Sequence, residues 1–94
     1  MKIVVEHDKE HHQFFSLIEG KKAKLDYGVL SDGVTLDYWS TYVPSELRGK
    51  QIAQQIVNAA LNYAQENNYK VIPSCSFVQA YIESHPEYKK LVVK

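Results

Sequence analysis

The sequence predicts an α+β fold: an antiparallel meander of four strands, one long helix, a short fifth strand parallel to the fourth, and a C-terminal helix. Two patterns carry this. From Lys22 to Val29, the apolar Ala23, Leu25, Tyr27 and Val29 alternate with Lys22, Lys24, Asp26 and Gly28, the period-two mark of a strand with one buried face. Beyond Pro44 the period lengthens. Ile52, Ala53, Ile56, Val57, Ala60, Leu61 and Ala64 share one helical face, and Gln54, Gln55, Asn58, Asn62 and Gln65 cover the other.

Residues 2–6 carry consecutive apolar side chains and read as a first strand, followed by a polar connection from His7 to Gln13. Phe14 to Glu19 reads as the second strand, closed by a turn at Gly20-Lys21, with the alternating segment as the third. Ser31-Asp32-Gly33 has turn chemistry, because Asp-Gly tolerates positive φ. Val34 to Val43, rich in β-branched and aromatic residues, makes the fourth strand. The long helix is expected at about 46–67, capped by Ser45 and ended by Asn67-Asn68. Lys70 to Ile72 is a fifth strand, which after a helix runs parallel to the fourth. Ser76 to Ser84 is a second helix, stopped by Pro86.

Ninety-four residues are expected to form one domain, 1–94, and 45% hydrophobic content supplies a core without disulfides. The single cysteine, Cys75, permits no intramolecular disulfide. A net charge of +0 disfavours nucleic acid as a partner, since phosphate contacts need a basic excess. The apolar run at the start is too short for a signal peptide, and no stretch approaches a membrane span. The expected setting is cytoplasmic and reducing.

The segment Val43-Pro44-Ser45-Glu46-Leu47-Arg48-Gly49-Lys50-Gln51-Ile52-Ala53 is suited to holding a phosphate. It leads from a strand into a helix, whose first turn leaves N–H groups without internal partners and carries partial positive charge. Glycine lets an anion approach the backbone, and Arg48 and Lys50 add full charges. Cys75, in Pro73-Ser74-Cys75-Ser76-Phe77, opens the second helix, where a thiol pKa is lowered. Two readings stand at this point: a small buried hydrophobe, or a nucleophile beside the crevice formed by the fourth and fifth strands.

These segments together, with Pro73-Ser74-Cys75-Ser76-Phe77-Val78, Tyr81-Ile82 and His85-Pro86-Glu87-Tyr88, resemble the small stand-alone GNAT-like family, over essentially the whole chain. The resemblance implies a minimal GNAT-like fold, lacking the helices between the first two strands, with acetyl-CoA lying in the splay between the fourth and fifth strands. It implies a diphosphate held by Arg48, Gly49, Lys50, Gln51, Ile52 and Ala53. It also implies a pantetheine arm along Tyr42 and Val43, where a bulge aims backbone amides, and Cys75 near the thioester.

There are two departures from the superfamily. Its pattern, Gln/Arg-x-x-Gly-x-Gly/Ala, maps onto Arg48, Gln51 and Ala53, so Gln51 stands where glycine is usual. Glutamine suits a helix better than glycine, yet its side chain is expected to crowd the diphosphate. Neither Tyr81 nor Tyr88 aligns with the tyrosine that serves as general acid in the superfamily.

His7, His11 and His12, with Asp8 and Glu10, have the composition of a metal cluster, but a solvated polar loop accounts for them without a metal ligand. His85 either pairs with a CoA phosphate or caps the second helix. Tyr38, Trp39 and Tyr42 read as sheet packing.

The resemblance therefore implies an acetyl-CoA-dependent N-acetyltransferase acting on an unknown amine, a small molecule or a protein; the charge balance and the lack of a membrane span add the expectation of no nucleic-acid or membrane partner. Cys75 serves either as an acid or neighbour in direct transfer, or takes up the acetyl group itself. The alternative is a CoA- or acyl-CoA-binding module with little transferase activity. A third reading, a protein–protein adaptor using an exposed sheet edge, predicts no CoA binding.

Overall fold

The computed structural model describes residues 1–93. Strands β1 (Glu6–Asp8), β2 (Gln13–Ile18), β3 (Lys21–Val29) and β4 (Thr35–Tyr42) form the expected antiparallel meander. Glu19 and Gly20 join β2 to β3 with φ of 52° and 78°, the paired positive φ that matches a tight hairpin to strand twist. In the next loop Asp32 accepts hydrogen bonds from the Val34 and Thr35 amides and from the Thr35 hydroxyl at 2.6 Å. Helix α1 (Ile52–Glu66) carries the chain back, so β5 (Lys70–Ile72) pairs parallel with β4 and the sheet runs β1-β2-β3-β4-β5. Helix α2 (Ser76–Ser84) follows.

The inward stripe of the sheet (Phe14, Ala23, Leu25, Tyr27, Leu36, Tyr38 and Val71) packs with Ile56, Val57, Ala60, Leu61 and Ala64 of α1 and with Val78 and Ile82 of α2. Tyr38 is wholly buried and stays satisfied because its hydroxyl donates to the Ala60 carbonyl at 2.6 Å. Asn68, at φ 59°, closes α1 by a Schellman arrangement: the Tyr69 amide donates to Ala64 O and the Asn68 amide to Gln65 O.

Four expectations are corrected. The first strand is Glu6–Asp8 rather than 2–6. Ile3 and Val5 pack against the core, and Gln55 ties the N-terminal segment to α1 by accepting from the Ile3 amide and donating to the Met1 carbonyl. The long helix begins at Ile52 rather than 46, and Ser45 does not cap it. Residues Ser45–Leu47 form a separate 3₁₀ turn that buries Leu47. Beyond α2, a second 3₁₀ segment (Pro86–Leu91) buries Tyr88 and Leu91, and Val92 and Val93 lie along the outer edge of β5. Trp39 and Tyr42 do not pack in the core; they are 54% and 49% exposed.

Candidate functional site

β4 and β5 pair only over Thr35–Asp37 and Lys70–Ile72. There β5 ends while β4 runs on to Tyr42, and the Cys75 amide, donating to Tyr38 O at 3.0 Å, ties the start of α2 back to β4. In β4 the register with β3 slips by one residue: Tyr38 faces Tyr27 and Ser40 faces Asp26, so Trp39 is the extra residue of a bulge. The bulge inverts the alternation that follows. Thr41 pairs with Leu25 and lies on the inward side, while Tyr42 pairs with Lys24 on the outer face. The bulge expected at Tyr42-Val43 therefore sits three residues earlier. Its effect on those residues is to send the Tyr42 side chain to the outer face, leaving its backbone on the strand edge.

The inverted Thr41 brings its hydroxyl to 3.5 Å from Cys75 Sγ. Cys75 is the N-cap residue of α2 and is partly buried. Burial pushes its thiol pKa up. The Thr41 hydroxyl and the backbone amides of Val78, Phe77 and Thr41 outweigh that, leaving the thiol below its ordinary value.

The Arg48–Ala53 segment is shaped by backbone conformation. Gly49 and Gln51 take φ of 80° and 63°, with Lys50 between them at negative φ. Alternation of this kind is the backbone pattern in which successive amides turn to one side. The N–H groups of Gly49 and of Gln51 to Gln54 donate to no acceptor among the described residues. A cavity of about 310 Å³ opens here, lined by Val43, Leu47, Arg48, Gly49, Gln51, Ile52, Ala53, Gln54 and Phe77. Arg48 is held at its rim by a 3.1 Å hydrogen bond from Nε to the Val43 carbonyl.

Of the residues singled out from sequence, Val43, Arg48, Gly49, Gln51, Ile52 and Ala53 thus share one cavity wall. Lys50 is exposed and lies outside that lining, as does Cys75, whose near neighbour Phe77 closes one side. His85 sits farther along α2 as its C-cap. Its Nδ1 donates to Tyr81 O at 2.8 Å, and its ring stacks on Tyr81 at 3.9 Å. The residues missed from sequence are Thr41, Gln54 and Phe77. Only Phe77 lay within a motif; the other two acquire their places from the bulge and from helix phase.

Gln51 is not a helix-interior residue. It is the N-cap of α1 in the left-handed region, which explains why glycine is usual there: the position asks for positive φ. Gly49 answers the same demand, for a Cβ added to it meets nothing within 4 Å.

At the far end of the sheet, the histidine-rich segment diverges. His11 Nδ1 lies 2.8 Å from Asp8 Oδ2. His7 turns inward, stacking on Phe14 at 4.0 Å, with Nε2 2.7 Å from the Tyr27 hydroxyl. Burial pushes Tyr27 up to about 12, with the Tyr63 and Tyr69 phenols and Asp8 adding to the shift. Burial lowers the pKa of His7; Lys9 and His12 reinforce this and Asp8 opposes it.

A parallel strand pair in which β4 outruns β5, beside an open helix start, defines a class of protein. Residues 13–91 match the family described as GCN5-related N-acetyl-transferase, and the chain belongs to that family. It is 32% identical over 93 residues to Protein NATD1 of Danio rerio, covering 95% of this chain and 84% of that protein. Protein NATD1 of Homo sapiens is 33% identical over 86 residues, covering 89% and 75%. A Staphylococcus aureus protein described as GCN5-like, with a solution structure, superposes with a TM-score of 0.73 over 97% of this chain and 88% of its own. At 24% identity that match speaks for the fold alone. Among the described residues, no helix is long and apolar enough to cross a membrane.

Proposed function

We propose that this protein is an acetyl-CoA-dependent N-acetyltransferase acting on an amine, with Cys75 beside the acetyl group. Membership of the GCN5-related family makes acetyl-CoA the natural substrate. The observation that carries the reading within this chain is the set of undonated amides of Gly49 and of Gln51 to Gln54, whose residues line a cavity with Arg48 at its rim. In this reading the diphosphate accepts from those amides, and Arg48, fixed through Val43, adds the opposite charge. The pantetheine arm runs along the unpaired edge of β4 past the Tyr42 and Val43 backbones.

With its pKa lowered by Thr41 and the α2 amides, Cys75 is suited to attack. Sγ bonds to the thioester carbonyl carbon, the carbon–sulfur bond to CoA breaks, and the departing thiolate takes up a proton. A neutral amine then attacks the acetyl-cysteine, loses a proton, and returns the thiol. Direct attack of the amine on acetyl-CoA, with Cys75 as acid, uses the same site.

Incubation with acetyl-CoA should add one acetyl group to Cys75, seen by intact mass and lost in Cys75→Ala. Unmodified Cys75, with transfer intact in Cys75→Ala, refutes the role of the thiol. One observation favours the CoA-binding module instead: no carboxylate or histidine lines the 310 Å³ cavity to act as general base. Tight CoA binding without transfer to polyamines, amino acids or peptide amines decides for that module.

A further inference from the structure

The face of the sheet turned away from α1 and α2 holds a carboxylate that the fold leaves unused. Leu36 and Tyr38 are buried in the core, so Asp37 between them lies on the outer face. Its Oδ1 is buried yet has no hydrogen-bond partner among the described residues, and Asp37 enters none of their ion pairs. A desolvated carboxylate oxygen without a partner is unfavourable, so it calls for a reason outside the packing of the chain. Asp26, on the same face, is already satisfied: Lys24 pairs with it at 3.2 Å and Gln13 Nε2 donates to it at 2.8 Å.

The surroundings of Asp37 suit an organic cation. Its partner in β3 is Gly28, where an added Cβ meets nothing within 4 Å, so the half-buried carboxylate borders open space. Trp39, the exposed residue of the bulge, stands two residues on, about 6–7 Å along the strand. A carboxylate and an exposed indole together attract an ammonium group, through charge and through the ring quadrupole. A metal ion is poorly served, because no three His, Cys, Asp or Glu residues converge among the described residues.

Position separates Asp37 from the transfer itself. Thr41 marks the place of the Cys75 thiol on the inward side of β4. The β3 partners of Thr41 and Asp37 are Leu25 and Gly28, three ladder steps or about 10 Å apart. β5 ends at Ile72, opposite Asp37, and beyond the Cys75–Tyr38 hydrogen bond the edge of β4 has no strand beside it. A chain lying on the outer face can thus turn one end past this edge toward Cys75 while its other end stays at Asp37.

We infer that the outer face at the Trp39 bulge receives the acceptor, and that Asp37 and Trp39 select amines carrying a second positive charge about 10 Å from the reacting nitrogen. The inference rests on the acetyltransferase reading above and deepens it: the reacting nitrogen is neutral at the thioester or acetyl-cysteine, and the distal one stays protonated between carboxylate and indole.

Acetyl transfer to 1,7-diaminoheptane and to heptylamine tests the selection, since the chains match and only the diamine carries the distal charge. Wild-type protein should favour the diamine in kcat/KM by roughly tenfold, the effect of one charge-assisted hydrogen bond. In Asp37→Asn, which loses no partner and keeps the shape, the preference should fall close to parity. Trp39→Ala should reduce it roughly threefold, with Trp39→Phe between Ala and wild type. No preference in wild type, an unchanged preference in Asp37→Asn, or equal losses with both amines overturns the inference. Trp39 is the one tryptophan of the chain, so its fluorescence reports on the site without turnover. Titrating CoA-loaded protein with 1,7-diaminoheptane should change the emission, with affinity weakened roughly tenfold in Asp37→Asn. Transfer without this response overturns the inference alone. A response in a protein that acetylates no amine refutes the acetyltransferase reading, and with it the acceptor role of the cation site.

Discussion

Replacing Gln51 by glycine should stabilise this protein, although the same change one turn deeper into α1 destabilises a helix. Gln51 is held at φ 63° as the N-cap of α1, and its side chain makes no cap hydrogen bond. An L residue in the left-handed region costs roughly 1–2 kcal/mol, a penalty glycine does not incur. Glycine loses more backbone freedom on folding, about 0.5–1 kcal/mol. The difference between the midpoints is a gain of about 0.75 kcal/mol, or roughly 3–6 °C in melting temperature for a domain of this size. The Gln51 carbonyl still accepts from the Gln55 amide and side chain, so no other contact is lost. The control is Ala59→Gly in the middle of α1, which should cost about 1 kcal/mol. Urea and thermal unfolding of both variants provide the measurement. A Gln51→Gly protein that melts below wild type refutes the conformational reasoning. Calorimetry on the same variant shows whether the side chain crowds CoA, in which case affinity rises, or contacts it, in which case affinity falls.

Three further outcomes are expected. Alkylation of Cys75 should titrate with a midpoint below the ordinary thiol value; Thr41→Val should move it up and Thr41→Ser bring it back, and a midpoint indifferent to Thr41 breaks the link made by the bulge. Replacing Arg48 by Glu and Gly49 by Val together should weaken CoA severely, through charge repulsion and the strain of a β-branched residue at φ 80°, so unchanged affinity removes the diphosphate site. His7 binds its proton less readily folded than unfolded, so its stabilising contribution is present above about pH 6.5 and is lost as pH falls below it. His7→Phe, which leaves the Tyr27 hydroxyl without its partner, should therefore be less stable than wild type at pH 8, by a margin that narrows toward pH 5; a constant margin contradicts this.

The sequence by itself determined the layout: the alternation of Lys22–Val29, the helical stripe from Ile52 to Ala64, and the parallel β5 after α1. The first two are local periodicities, which burial of one face converts directly into a strand or helix, and the third follows from the helical crossover between the strands. It also determined which segment would be rich in free amides, because Gly49 near a helix start is legible as chemistry. The tertiary structure decided the rest. The Trp39 bulge is invisible in a β-branched, aromatic run, since it exists only as a mismatch of register with β3; yet it sends Thr41 to Cys75 and Tyr42 to the outer face. The left-handed Gln51 and the 3₁₀ turn at Ser45–Leu47 replaced an expected first helical turn, because burying Leu47 redirects the chain before α1 can begin. The N-terminal segment, apolar enough to suggest a strand, instead found its partner in Gln55 of α1, fifty-two residues beyond Ile3. A contact at that separation leaves no trace in local pattern; it depends on where the packed core leaves a free amide.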